Sequence, residues 1–276
     1  MHRYDELRAV AVEAAEAAGR VITEWGADAE LMIEEKGAGD YVTAADRAAE
    51  AAAMAVLRGS TPDIPVVAEE AGGTGADRMW LLDPIDGTTN FLRGFPAVGV
   101  SVGLMEEGQP VAGAVAAPYL GEMWSAARGE GARDRHGRRL SVAAGAGLGV
   151  VATGFPFRKP GNLERYLPAM EAALDRFEDL RRPGAASLDL AYSATGAWDG
   201  FFELGLSPWD VSAGALLVLE AGGVVSDWAG DHKAVFTSGN ILAGAPAWHE
   251  RMLDITSSLG FRNGADTRNL ARPDGL

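Results

Sequence analysis

The sequence predicts an α+β protein whose helices and strands are layered rather than strictly alternating. Three observations carry this. Residues 4–25 place apolar side chains at helical spacing. Residues 97–132 hold small and β-branched apolar runs cut by turn-forming breaks, as an antiparallel meander does. The second half mixes helix and strand patterns without the β-α-β rhythm of a parallel sheet.

In order, YDELRAVAVEAAEAAGRVITEW (4–25) puts Leu7, Val10, Ala14, Ala18, Val21, Ile22 and Trp25 on one helix face. KGAGDYVTAAD (36–46), with two glycines, reads as a loop or hairpin leading into an alanine-rich helix over 47–59. IPVVAEE (64–70) reads as a buried strand ending in two glutamates. In MWLLDPIDGTTNF (79–91) an apolar run ends at Asp83 and Asp86. Pro84 lacks a ladder donor and disfavours helix at Asp83, so the chain is expected to leave the sheet after Leu82. The Ile85 carbonyl then turns outward. Gly87 is expected in a backbone conformation closed to other residues, with its N–H and that of Thr88 facing one space.

The stretches EEGQP and PYLGE break the 97–132 region into meander strands. NLERYLPAMEAALDRFEDL (162–180) reads as helix, and SLDLAYSATGAWDGFFEL (187–204) as helix, Gly-containing turn and strand. WDVSAGALLVLEAGG (209–223) is a helix with a Gly-Gly stop. No repeat or low-complexity linker interrupts the chain. A soft boundary near GAGLG divides it into halves, 1–145 and 146–276.

With 276 residues, 47% of them hydrophobic, the chain can bury a sizeable core. No apolar run reaches the eighteen or so residues of a membrane span, so no membrane association is expected. The N-terminal stretch lacks a basic segment followed by an apolar one, which argues against a secretory signal. Cysteine is absent, which excludes disulfides and thiolate chemistry and fits a cytoplasmic address. A formal charge of −15 argues against nucleic acid as the main partner. It also means that an anionic substrate needs something positive between it and the protein. Lysine is scarce: only Lys36, Lys159 and Lys233.

Asp83, the Ile85 carbonyl and Asp86 present oxygens of the kind hard divalent cations prefer. Taken alone, D-P-x-D-G serves equally as a turn, Asp210 as a helix cap and Glu69 as a solvated strand end. Yet these four acidic groups sit at four element ends. If they converge without a cation, each pair about 4 Å apart costs about 4 kcal/mol at an effective dielectric near 20. Convergence therefore implies metal.

WLLDPIDGTTNF and WDVSAGALLVLEAGG resemble, almost residue by residue, the two signature motifs of the inositol monophosphatase family. The likeness extends to KGAGDYVTAAD, VVAEE, TGFPF (153–157) and GAASLD (184–189). It implies a layered α-β-α-β-α sandwich of the sugar-phosphatase type, with mixed and antiparallel sheets, usually a homodimer. On this resemblance the first half carries the DPIDGTTNF loop and the second completes the site. One Mg²⁺ falls to Glu69, Asp83 and the Ile85 carbonyl, a second to Asp83, Asp86 and Asp210, and a weaker third to water near Glu69. Ala68 and Ser212 depart from commoner family residues without touching these ligands.

The resemblance further implies hydrolysis of a phosphate monoester by metal-activated water, inositol 1-phosphate being the expected substrate. Glu69 and Thr88 orient that water, and Asp46 supports Thr88. Asp86, Gly87, Thr88, the backbone of Gly184, Ala185 and Ala186, and the Glu203 carboxylate contact substrate. Lys36 closes over the site as a lid. Lithium sensitivity is a family trait. Related substrates are fructose-1,6-bisphosphate, for which Arg181 and Arg182 could meet a second phosphate, histidinol phosphate and 3′-phosphoadenosine 5′-phosphate. A non-catalytic, metal-binding regulatory homologue is the remaining alternative, and every implied ligand is present.

Overall fold

The computed structural model describes residues 3–26, 34–37, 40–42, 44–142, 149–156 and 161–261. The expected boundary near 145 falls on 143–148, outside the described residues, as does Phe157. Two long helices form the first layer, α1 (Arg3–Trp25) and α2 (Ala44–Ser60), joined through a two-stranded hairpin of β1 (Glu34–Gly37) and β2 (Asp40–Val42). Their alanine-rich inner faces lie close on a six-stranded sheet. That sheet runs in the order β3 (Val66–Ala68), β4 (Arg78–Asp86), β5 (Gly99–Glu106), β6 (Gln109–Ala117), β7 (Glu122–Ala127), β8 (Gly131–Asp134). Only the β3–β4 pair is parallel; the rest is the expected meander.

A short helix, α3 (Thr88–Leu92), follows β4. The second sheet has the order β10 (Asp179–Arg181), β9 (Val150–Thr153), β11 (Gly200–Leu204), β13 (Asn240–Gly244), β12 (Val224–Ser226), with parallel and antiparallel pairs. Between the sheets lie α5 (Ala186–Thr195) and α6 (Pro208–Glu220), with the four-residue α7 (Val235–Ser238) beside them. On the outside are α4 (Asn162–Arg176) and α8 (Pro246–Ser258). Five layers enclose three apolar cores: α1 and α2 on the first sheet, both sheets around α5 and α6, and the second sheet under α4 and α8. α6 is apolar nearly all round, because it has a sheet on either side.

Three local expectations are corrected. The chain does not leave the sheet after Leu82. Asp83 pairs with Ser101 and Asp86 with Gly99, so β4 spends three residues where β5 spends two. That is a bulge, which accommodates Pro84 and its missing donor without ending the strand. The helix expected over 162–180 stops at Arg176, and residues 179–181 pair with β9 as an edge strand. IPVVAEE keeps only Val66–Ala68 as strand.

Candidate active site

The β4 bulge sits against α6 and the first turn of α5. The Glu69 N–H donates to the Leu82 carbonyl at 3.1 Å, tying the end of β3 to the residue before Asp83. The following turn is held from α2, where the buried Glu50 carboxylate accepts the N–H groups of Glu70 (2.9 Å) and Ala71 (3.0 Å). Asp83 is 2% exposed and faces Ser101 across the ladder. The Ser101 hydroxyl donates to the Trp209 carbonyl at 2.8 Å. One ladder position thus fixes both Asp83 and the residue before Asp210. Asp210 in turn accepts the Ser207 N–H at 2.7 Å, completing a capping box at the start of α6.

Glu69, Asp86 and Asp210 all stand within electrostatic reach of Asp83. Burial pushes the Asp83 carboxyl well above the usual range, and Glu69, Asp86 and Asp210 push it further. Glu69 is within hydrogen-bonding reach of it. Among the described residues, no three His, Cys, Asp or Glu side chains stand in a ready-made coordination geometry. Asp86 Oδ2 faces Ser187 and Asp210 Oδ2 faces the Ser207 N–H. A buried carboxylate ringed by three others costs free energy until a proton or a cation neutralises it. The donor set, carboxylates plus a peptide carbonyl, fits Mg²⁺.

The Thr88 hydroxyl donates to the Ile85 carbonyl at 3.2 Å. Asp46 is buried in the first turn of α2. Gly87 adopts φ 89°, and a Cβ there would stand 2.9 Å from the Ala97 carbonyl oxygen and 3.2 Å from that of Gly184. Only glycine fits. Asn90 binds the same junction, donating to the carbonyls of Ala97 (2.8 Å) and Pro183 (2.9 Å). The loop after β4 is thereby locked to the segment before α5, where Gly184 takes φ 93° and Ala185 and Ala186 are buried. Ser187, next along, gives both its N–H (2.6 Å) and its hydroxyl (2.5 Å) to Asp86 Oδ2.

Glu203 lies half-buried on β11, packed so tightly on Gly154 that a Cβ there would overlap its carboxylate. Burial raises the Asp189 carboxyl strongly; Glu203 and Asp86 add to this, while Arg182 opposes it. Glu203, Asp86 and Arg182 therefore share one neighbourhood. Arg182 stacks over Phe155 at 5.3 Å, whereas Arg181 pairs with Asp179 at 2.5 Å. The Lys36 backbone belongs to β1, and its side chain lies outside what is described.

Four residues of this network are absent from the sequence reading: Ser187, Asn90, Ser101 and Glu50. Asn90 and Ser187 lie inside the quoted motifs, and Glu50 follows Asp46 by one helical turn. Ser101 carries no local signal.

The profile of the inositol monophosphatase family matches residues 3–260. The chain belongs to the inositol monophosphatase family. Inositol monophosphatases are magnesium-dependent, and family membership supports phosphatase activity here. The chain is 41% identical over 250 residues to Nus factor SuhB of Escherichia coli, covering 88% of this chain and 93% of that protein. Identity to Nus factor SuhB of Pseudomonas aeruginosa is 44% over 245 residues, covering 85% and 90%. Among solved structures, extragenic suppressor protein suhB of Bartonella henselae superposes with a TM-score of 0.84 at 36% identity, covering 91% of this chain and 98% of that one. The Thermotoga maritima IMPase gives 0.82 at 31% identity, covering 92% and 98%. The five-layer sandwich is the inositol monophosphatase fold. No helix among the described residues is long and apolar enough to cross a membrane.

Proposed function

We propose that the protein hydrolyses a polyol phosphate monoester, inositol 1-phosphate, with two or three Mg²⁺ ions held by Glu69, Asp83, the Ile85 carbonyl, Asp86 and Asp210. The observation that carries this reading is the buried Asp83 with Glu69, Asp86 and Asp210 gathered around it. The bound ions supply Lewis acidity for the phosphoryl group and the leaving alkoxide. Bound there, they would also stand between a protein of charge −15 and an anionic substrate.

Glu69 and Thr88 orient the attacking water, with Asp46 supporting Thr88. Gly87 and Thr88 offer backbone N–H groups to the phosphoryl oxygens. Glu203 and the backbone of Gly184, Ala185 and Ala186 receive the ring hydroxyls, and Lys36 closes the site. The protein works as a cytoplasmic homodimer and is inhibited by lithium. Initial rates against sugar, polyol and nucleotide phosphates, with and without Mg²⁺, test the reading. Mg²⁺-dependent turnover fastest on inositol 1-phosphate supports it. Preference for a bisphosphate would shift the substrate to fructose-1,6-bisphosphate, with Arg182 as the second phosphate's partner.

A second reading follows from the relatives' name, Nus factor, which associates them with the transcription machinery. The expectation of no nucleic-acid partner rested on net charge alone and is not carried forward.

A further inference from the structure

A cavity of about 840 Å³ opens between α1 and the β7–β8 end of the first sheet, lined by none of the residues of the candidate active site. α1 packs on β5, β6 and β7 and makes little contact with β8. In a chain of charge −15, the cavity is lined by four arginines: Arg8, Arg20, Arg133 and Arg135. Arg8 is paired with Asp5 at 2.7 Å, and Arg135 donates to the Gly121 carbonyl. Arg133 is different. It stands opposite the buried Ser125 in the β7–β8 ladder, and both residues line the cavity. Its Nε is shut off from water and has no hydrogen-bond partner.

A desolvated guanidinium nitrogen without an acceptor is unfavourable for the free protein. Local costs of this kind are tolerated chiefly at functional sites. Val12, Pro118 and Met123 give the cavity apolar lining. Of the acidic lining residues, Glu16 and Glu122 are exposed, where water and salt screen them, and Asp134 is paired with Arg138 at 2.6 Å. The volume falls in the range of small-molecule sites, and an apolar wall with few charged groups is their usual composition.

We infer that this cavity is a binding site for a small molecule carrying one anionic group, a phosphate, sulfonate or carboxylate, on an apolar body. The anionic group meets Arg133, with Arg20 at the mouth, and the apolar body lies against Val12 and Met123. Nothing in this assignment depends on the carboxylate site or its metals.

The test uses 8-anilino-1-naphthalenesulfonate, an anion on an apolar body, titrated into the full chain without divalent cations while its fluorescence is followed. One saturable site is expected. Arg133→Met should weaken it at least tenfold without lowering the melting temperature, because the variant also removes the unpartnered nitrogen. Arg20→Ala, on the exposed face of α1, should weaken it a few-fold, and it tests the site even if Arg133→Met fails to fold. Arg182→Ala, across the molecule, should leave it unchanged. Absence of saturable binding, or equal affinity in the wild type and both cavity variants, would overturn the inference. So would a loss caused by Arg182→Ala.

Discussion

Ser187 covers one oxygen of Asp86 twice, its backbone N–H at 2.6 Å and its hydroxyl at 2.5 Å from Oδ2. The contact spans 101 residues and joins the β4 bulge to the first turn of α5. Ser187→Ala keeps the backbone bond and loses the hydroxyl. A hydrogen bond to a charged group contributes about 1.5–3 kcal/mol, so kcat/KM should fall about ten- to a hundred-fold. The Mg²⁺ concentration needed for half-maximal rate should rise, while the melting temperature changes little. An unchanged Mg²⁺ requirement would show that Asp86 needs no such hold.

Gly87→Ala should be damaging despite its size. The position requires φ 89°, and the new methyl would meet the Ala97 carbonyl oxygen at 2.9 Å. Backbone strain of this kind costs about 1–3 kcal/mol, read as a lower midpoint in denaturant. Activity should fall further than stability, because the loop carrying Thr88 must shift to relieve the contact.

Glu203 tests the substrate class. If its carboxylate receives a ring hydroxyl, Glu203→Ala should lower kcat/KM for inositol 1-phosphate by about ten- to a hundred-fold and leave p-nitrophenyl phosphate nearly untouched. An equal fall on both substrates would make Glu203 a support for Asp189 and Arg182 rather than a substrate contact.

His249 predicts a pH dependence of stability away from the site. Burial, then the nearby His232, holds its imidazole down to about 4, with Nε2 2.7 Å from the Ser226 hydroxyl. The unfolded chain binds the proton near 6.5, so between about 6.5 and 4 it carries more protons than the native state. Stability contributed by neutral His249 is therefore present above 6.5 and is lost as pH falls toward 4. After allowance for partial solvent screening this is about 1–2 kcal/mol. In His249→Gln the wild-type minus variant difference in unfolding free energy should shrink over that window. A constant difference would contradict the assignment.

Much of the site is legible because its chemistry is local. Two aspartates around a proline and a glycine at a strand end announce a positive-φ turn, which Gly87 makes at φ 89°, and Asp210 follows a Ser-Pro helix start. What the sequence reading lacked is long-range. Ser101 acts through a carbonyl 108 residues away, and nothing in VGVSVGL marks it. Pro84 alone suggests a strand end, because its missing donor says nothing of the neighbouring strand that absorbs the bulge. Strand β10 was hidden in the helical run because three partly exposed residues carry no periodic pattern of their own.

The central claim is that Asp83 and the acidic groups around it hold a divalent cation, and thermal unfolding tests it without any substrate. Anything that binds only the native state raises its stability. The melting temperature of the wild type should climb with millimolar Mg²⁺. Asp83→Asn, relieved of a buried charge, should melt no lower than wild type without metal and should not respond to Mg²⁺. A wild type indifferent to Mg²⁺, or an Asp83→Asn variant stabilised as much as the wild type, would contradict the account.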